Sequence, residues 1–500
     1  MSTVEEPQAA PAAADAPATW RRFATLPDWL TAIDDPERVR RALLQAVPEF
    51  ASGALALLDC DVHRVRMKDA RWTAQYRLTV TGPGDDSRRE VTLRGTLIAP
   101  GAPEPDPAAD GAPFGAAGWQ GWLPEVRLRL EPQPADAGLP ALPHLTDPEE
   151  ARVLLEASIR AAAPAYRDLR LQAVTPRVMR YNPGSRCTIL YRLDYSPELA
   201  AGHDWPDIVV AKTYHRDKGR HAYAAMQALW ESPLATGAVV TIAEPLGFLP
   251  EWNVLVQGPI REEQTLQDLI RTALRTGAAD TQAELDGYLR QTAAGLAALH
   301  GSGVQARKSR AWEDERDEVR EIAEELESAV PELAGATGPL LARLEARAAT
   351  APADPPGPAH GTFRPAQVLL NHGRIGFIDF DSFCEAEPAL DVALFLEKIR
   401  DLGLSAAGGG DDDDEDPLDP ALYPARLAQV ERLCATFLDA YTAHRPISRE
   451  RIALWETLYL LTLVLHCWTK VKPARLVHSM VLLDHHLRAH DLAAGAPVAQ

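Results

Sequence analysis

The 500-residue sequence has little cysteine, no basic stripe and no long apolar run, and each shortage excludes something. Its five cysteines, Cys60, Cys187, Cys384, Cys434 and Cys467, are scattered, odd in number and without CxxC spacing. That excludes a disulfide framework and predicts a reduced, cytoplasmic protein. Lys and Arg number 51 against 71 Asp and Glu, a net charge of −20. A phosphate backbone or an anionic membrane surface would be repelled, so neither nucleic acid nor membrane is an expected partner. The N-terminus lacks a basic region followed by an apolar run, which speaks against a secretory signal. The longest apolar stretch, Leu458 to Trp468, contains His466. It reads as too short to span a bilayer and predicts a buried helix.

What is present is an ordinary globular composition, 46% hydrophobic and 24% charged, in a chain too long for one core. Residues 1–18 are Ala, Pro and acid with almost nothing to bury, and predict a disordered tail. Residues 99–118 form a Pro/Ala/Gly loop. From Gly408, three glycines precede six consecutive acids that repel one another, so 406–420 predicts a solvated acidic loop.

The sequence also repeats. Asp35-Pro36-Glu37 opens a helical stretch, with proline suited to the first turn. It is followed by VHRVRM, WTAQYRLTV and REVTLRGTLIAP. Asp147-Pro148-Glu149 opens a second helical stretch, followed by TPRVMRYNPGSRCTILYRLDY and DIVVAKTYHR. The order helix, strand, loop, strand, strand occurs twice, and Tyr-Arg-Leu stands in each second strand (76–78, 191–193). Alternating apolar residues predict half-buried antiparallel strands. The second copy carries Lys212, where the first is expected to carry Gly95. The first copy's loop, MKDAR, lacks the glycine of NPGSR. From about residue 263 the period becomes helical, interrupted by the β-rich patch QVLLNHGRIGFIDFD.

The chemistry-bearing residues cluster late. His360-Gly361-Thr362-Phe363-Arg364-Pro365-Ala366-Gln367 is followed by Ile378-Asp379-Phe380-Asp381, and then by Glu387-Pro388-Ala389-Leu390-Asp391. With Lys212, the segment Leu255 to Ile260 and the helix ending Ala298-Leu299-His300, this ordered set resembles the aminoglycoside phosphotransferase and choline-kinase-like family. That family's pattern is HGDxxxxN followed by IDF or IDW, related to the HRD…N and DFG elements of protein kinases.

The resemblance spans residues 170 to 490. It implies an α+β, bilobal protein-kinase-like fold, with a β-rich N-lobe at 147–260 and a helical C-lobe at 261–500. Residues 19–131 would add an N-lobe-like β-sheet repeat. It further implies ATP and Mg²⁺ as cofactors and a small-molecule hydroxyl acceptor as partner. A protein partner or self-association through the N-terminal repeat is a further expectation.

Residue by residue, the resemblance makes Lys212 the phosphate ligand, with Glu231 a candidate acidic partner. Gly184 and Ser185 stand in the phosphate-covering loop, and Gln257 and Ile260 in the hinge. Asp379 is the metal ligand, and Gln367 takes the place of the second, usually asparagine. Asp391 would brace the catalytic loop. The departure is Thr362, where the family has its catalytic aspartate. A threonine hydroxyl is not ionised near neutral pH and cannot act as a base. Asp381 is the nearest substitute carboxylate, and Arg364 can stabilise phosphate charge. The leading expectation is ATP-dependent phosphotransfer to a hydroxylated small molecule. The alternatives are a catalytically impaired, ATP-binding regulator and, third, nucleotide transfer. His486 and His490, four apart on one helix, are weighed as metal ligands against an ordinary terminal helix.

Overall fold

The computed structural model describes residues 20–492 apart from 83–86, 106–111, 134–138, 183–185, 215–217, 237–238 and 406–417. The expected tail 1–18 and nearly all of the acidic loop 406–420 therefore lie outside the described residues, as do Gly184 and Ser185.

Two helices open two sheets in the same way. Helix α1 (Pro36–Ala46) has proline at its first turn and Asp35 as cap, its carboxylate accepting from the Arg38 backbone N–H at 3.0 Å. Helix α2 (Pro148–Ala162) repeats this, with Asp147 accepting from Glu149 and Glu150. The cap satisfies N–H groups that the first turn leaves unpaired, and the proline has none to leave.

After α1 come β1 (Ala56–Lys68), β2 (Arg71–Thr81), β3 (Arg89–Leu97), β4 (Gly121–Leu123) and β5 (Leu128–Pro132), in spatial order β1-β2-β3-β5-β4. After α2 come β6 (Leu171–Asn182), β7 (Arg186–Tyr195), β8 (Ile208–Thr213), β9 (Pro245–Leu249) and β10 (Val254–Gln257), in the order β6-β7-β8-β10-β9. Both sheets are antiparallel throughout and share one strand order. Buried and open positions alternate along β2 and β7, as a one-sided sheet requires.

The likeness reaches single residues. The β1–β2 ladder slips between Leu57 and Asp59 and again between His63 and Arg66; the β6–β7 ladder slips between Leu171 and Ala173 and between Val178 and Arg180. Both Tyr-Arg-Leu tyrosines are fully buried. Tyr76 donates its hydroxyl to the Ile33 carbonyl at 2.7 Å, and Tyr191 donates to the Leu145 carbonyl at 2.7 Å. Each acceptor lies two residues before the capping aspartate. The register corrects one detail. Lys212 pairs with Thr188, which answers to Thr73, and Thr73 pairs with Thr96. Thr96, not Gly95, therefore matches Lys212. Gly95 matches Ala211, and a Cβ there would come within 2.5 Å of the Tyr76 ring.

The rest is helical: α3 (Lys218–Trp230), then α4 (Leu266–Thr276), α5 (Ala279–His300), α6 (Trp312–Ala329), α7 (Gly338–Ala348), α8 (Ala389–Leu404), α9 (Tyr423–His444), α10 (Arg449–Thr469) and α11 (Pro473–Ala489). Between α7 and α8 runs the hairpin β11 (Val368–Asn371) and β12 (Arg374–Phe377). Its turn uses His372 (φ 48°) and Gly373 (φ 77°), the left-handed pair that matches strand twist. The expected two-lobed α+β arrangement is met. Helix α10 corrects another expectation. At 21 residues it is long and apolar enough to cross a membrane, but 83% of its apolar window is buried inside the protein. Its length comes from Arg449 to Thr457, which the apolar run alone did not reveal.

The two sheets are joined to the helices differently. The first sheet's core is continuous with that of the helical lobe, and Trp72 donates to the Trp468 carbonyl at 3.0 Å while Trp468 donates to the Phe23 carbonyl at 3.0 Å. The second sheet and α2 form a separate apolar cluster. The second sheet's links to the main core run through Tyr214, Leu255 and helix α3.

Candidate functional site

Two loops meet beneath the second sheet. The first, 360–367, turns at Gly361 (φ 84°), where a Cβ would lie 2.2 Å from the Ser382 carbonyl oxygen; only glycine fits. Asp391, fully buried at the start of α8, holds this loop. Its carboxylate accepts from the backbone N–H of His360 (2.6 Å) and of Gly361 (2.8 Å), and pairs with His300 (3.1 Å). Burial raises the Asp391 pKa, but the His300 hydrogen bond and the surrounding donors outweigh it and the net shift is downward. His360 is fully buried, and burial lowers its pKa. Its Nε2 lies 2.9 Å from the Ile378 carbonyl. That contact ties the first loop to the second, 378–383.

The second loop leaves β12 with Asp379 in the left-handed region (φ 72°). Asp tolerates this better than most residues, and such strain is common at functional positions. Lys212, at the end of β8, donates to Asp379 Oδ1 at 2.8 Å and lies 3.7 Å from Asp381 Oδ1. Arg186, at the start of β7, lies 2.9 Å from Asp381 Oδ2 and 3.6 Å from Asp379 Oδ1. Tyr214 donates to Asp381 Oδ1 at 2.7 Å. The result is a box of two carboxylates and two cations. Burial raises the Asp379 pKa, yet Lys212, Arg186 and His360 pull it well below the usual carboxylate range. Burial also raises the Tyr214 phenol, and Asp381 pushes it further up.

A cleft of about 570 Å³ opens on this box, within the size range of small-ligand sites. Lys212, Asp379, Gln367 and Arg364 line it, together with Arg180, Arg186 and Arg271. An adjoining cavity holds Thr362, half-buried, with Asp381 and Ser382.

The structure thus brings Lys212, Thr362, Arg364, Gln367, Asp379 and Asp381 around one cleft and the cavity that adjoins it. One expected role fails. Glu231 is exposed at the end of α3 and makes no ion pair with Lys212, whose partners are Asp379 and Asp381. Helix α3 approaches the cleft from the side of Phe380 and Asp381, so its last turn faces a different cavity. Gln367, expected as a second metal ligand, lies beside Asp379 with its amide nitrogen toward that carboxylate. The Arg364 backbone N–H, which can only donate, takes Oε1 at 3.1 Å, so Nε2 donates to Asp379 Oδ2 at 3.2 Å. Gln367 caps the short turn 365–367 and steadies Asp379. Gln257 is buried at the end of β10, and Ile260 packs on Gly376 of β12, so both stand at the crossing between lobes.

Sequence reasoning missed Arg186 and Tyr214. A signal existed: Lys212 and Tyr214 are two apart in extended chain and share a face. The β7–β8 ladder ends at the pair Thr188 and Lys212, and continuing its register two residues further sets Arg186 opposite Tyr214. The terminal histidines are ordinary. His486 is buried against the Ala453 carbonyl and Thr457, with its pKa lowered to about 3 by burial. Among the described residues no cluster of three or more His, Cys, Asp or Glu could hold a metal.

The remaining donor set does suit magnesium. That ion takes one or two carboxylates and completes its shell with water and phosphate oxygens. Asp379 and Asp381 are two such carboxylates, held close enough to share Lys212 and Arg186.

Residues 215–428 match the phosphotransferase enzyme family (APH), which bears out the resemblance read from the motifs. No curated protein matches the sequence. Among solved structures the chain is similar to choline kinase LicA from Streptococcus pneumoniae, at 14% identity over 68% of this chain and 99% of that one, TM-score 0.41. It is similar to a glucosamine kinase in complex with glucosamine, ADP and inorganic phosphate, at 18% identity over 92% and 99%, TM-score 0.43. A thermostable mutant of aminoglycoside phosphotransferase APH(4)-Ia is 15% identical over 65% and 96%, TM-score 0.39.

Proposed function

We propose that this chain, whose residues 215–428 match the phosphotransferase enzyme family, transfers the γ-phosphate of ATP to a hydroxyl of a small molecule. The observation that carries this reading is the box of Lys212, Arg186, Asp379 and Asp381 at the floor of the cleft. Phosphoryl transfer asks a protein chiefly for positioning and charge neutralisation. Lys212 and Arg186, paired with carboxylates, are placed to exchange those partners for phosphate oxygens. Magnesium at Asp379 and Asp381, when bound, would neutralise phosphate charge. The acceptor oxygen bonds to the γ-phosphorus as the bond to the bridging oxygen breaks; ADP leaves and the hydroxyl proton passes to solvent.

Thr362 sits where an acceptor-orienting carboxylate would stand, and Asp381 is a poor replacement. Its Oδ1 takes the Tyr214 hydroxyl, and its Oδ2, paired with Arg186 here, is an oxygen that would hold magnesium when the ion is bound. A carboxylate so occupied serves as charge, not as base. We therefore expect slow transfer. A positioned base contributes about 10²- to 10⁴-fold, so Thr362→Asp should raise ADP formation measurably.

The same observation favours a second reading, an ATP-binding regulator. Assaying ATP with candidate acceptors separates the readings. ADP formation supports phosphotransfer, AMP formation indicates nucleotide transfer, and tight binding with no product leaves the regulator. A partner docking on the first sheet belongs to that regulator reading, although this sheet's Trp72 and hairpin tip lie on the chain's own helices, Ala70 N–H reaching Glu325 at 2.7 Å.

A further inference from the structure

Helices α8 and α10 each turn one face to the cavity at Thr362. Leu394, Glu397 and Lys398 stand three and four residues apart on α8, and Tyr459, Thr462 and Leu463 repeat that spacing on α10. The first turn of α8 is tied to the catalytic loop, because Asp391 accepts from the backbone of His360 and Gly361. That tie sets the helical wall beside Thr362. The cavity measures about 380 Å³, within the range of small-ligand sites. It shares Arg186, Arg364, Gln367 and Asp379 with the nucleotide cleft, as the acceptor side of one site must, whereas Tyr459 and Thr462 line the acceptor side alone.

These two residues break a habit that the rest of the molecule keeps. The buried hydroxyls of Tyr76, Tyr191, Tyr214 and Tyr441 each have a hydrogen-bond partner. Tyr459 is 7% exposed, and its hydroxyl has none among the described residues. Helical threonines usually return their hydroxyl to the carbonyl one turn back. Thr292, Thr436, Thr442 and, on α10 itself, Thr457 do so. The Thr462 hydroxyl does not, and it too is buried without a partner among the described residues. Buried polar groups are normally satisfied, so two orphan hydroxyls on one helix face beside a cavity mark where a polar ligand completes them.

The ionic groups around the cavity are, in contrast, already committed. Asp379 is paired with Lys212 and Arg186, Asp381 with Arg186 and Tyr214, and Glu397 with Lys398 at 3.1 Å. Magnesium, when bound, takes the two aspartates in place of those cations. Lys398 also reaches Asp401, and Arg364 and His466 are engaged as well. An ammonium entering the cavity finds no carboxylate left to pair with, and a buried charge without a partner is costly. Resting on the phosphotransferase reading, we infer that Tyr459 and Thr462 select the acceptor, and that it is an uncharged polyhydroxy compound. One of its hydroxyls lies beside Thr362 for transfer. Others complete Tyr459 and Thr462, whose hydroxyls can each donate and accept. Leu394 and Leu463 cover its carbon face.

Calorimetry of the full chain with excess Mg-ADP tests this. The probes are glycerol, myo-inositol and glucose, set against the charged counterparts serinol, glycerol 3-phosphate, glucosamine and glucose 6-phosphate. The tightest binder should be uncharged. Tyr459→Phe and Thr462→Val should each weaken its binding about three- to tenfold, the worth of one neutral hydrogen bond. Neither change should lower the melting temperature, because each removes a hydroxyl that the fold leaves unpartnered, and Mg-ATP affinity should stay as in the wild type. A lower melting temperature with unchanged probe affinity would make the hydroxyls structural and overturn the inference. So would a charged probe that binds tightest, or a wild type that binds no uncharged probe. ADP formation from ATP judges the phosphotransferase reading separately. Polyol binding that depends on Tyr459 and Thr462, with no ADP ever formed, keeps the pocket and removes the transfer. ADP formed with an ammonium- or phosphate-bearing acceptor alone keeps the transfer and removes this inference.

Discussion

The two five-stranded sheets share a strand order, two ladder slips, a capped helix and a buried tyrosine lock, but they meet the helical lobe by different physics. The first is joined by apolar packing around Trp72, Phe23 and Trp468. The second faces the helical lobe across a cleft, where its cleft-facing partners are charges: Lys212 and Arg186 against Asp379 and Asp381. An apolar joint offers a ligand nothing to exchange. A charged joint open to a cleft can trade carboxylates for phosphates at little cost. By register Arg66 answers to Arg180, Arg71 to Arg186 and Thr96 to Lys212. The first sheet thus keeps the arginines and lacks the lysine, so one frame serves as a brace or as half of a site according to a few side chains on one face.

The comparison breaks most visibly at Trp468. Trp468→Ala removes the bolt between the first sheet and the helices and should cost about 3–5 kcal/mol in urea unfolding. A loss below about 1 kcal/mol, within the range of an ordinary surface change, would mean that the first sheet is not fastened there. Next in size is Lys212→Met. Loss of one donor aimed at developing charge should lower ADP formation about 10²- to 10³-fold. The converse change, Thr96→Lys, should leave Mg-ATP binding untouched, because no carboxylate pair faces that strand among the described contacts. New nucleotide binding in that variant would erase the distinction between the sheets.

The smallest effect sharpens the likeness. Tyr76→Phe and Tyr191→Phe each orphan a buried carbonyl and should each cost about 1–3 kcal/mol. Hydrogen exchange should show the Tyr76 loss spread through the shared core, and the Tyr191 loss confined to the second sheet. Uniform exchange in both would show a single cooperative core.

Much of this was legible in the sequence. Asp35-Pro36 and Asp147-Pro148 are local capping chemistry, and Tyr-Arg-Leu with period-2 alternation is local strand chemistry. The cluster from His360 to Asp391 is close in sequence, so its loops were readable too. What escaped depended on distance along the chain. Arg186 reaches Asp381 across 195 residues. The orientation of Gln367 turns on a backbone N–H that no residue pattern encodes. Glu231 failed because the direction of α3 is set by packing. The slip from Gly95 to Thr96 arose because a one-residue register shift is invisible without the ladder.

The central claim is that the charge box under the second sheet is the Mg-ATP site, and Asp379→Ala tests it most directly. Calorimetric titration of ATP with and without magnesium should show magnesium-dependent binding in the wild type. In the variant that binding should weaken by about 1.5–3 kcal/mol, the worth of a charge-assisted contact. Unchanged affinity, or wild-type binding indifferent to magnesium, would place the nucleotide elsewhere and contradict the account.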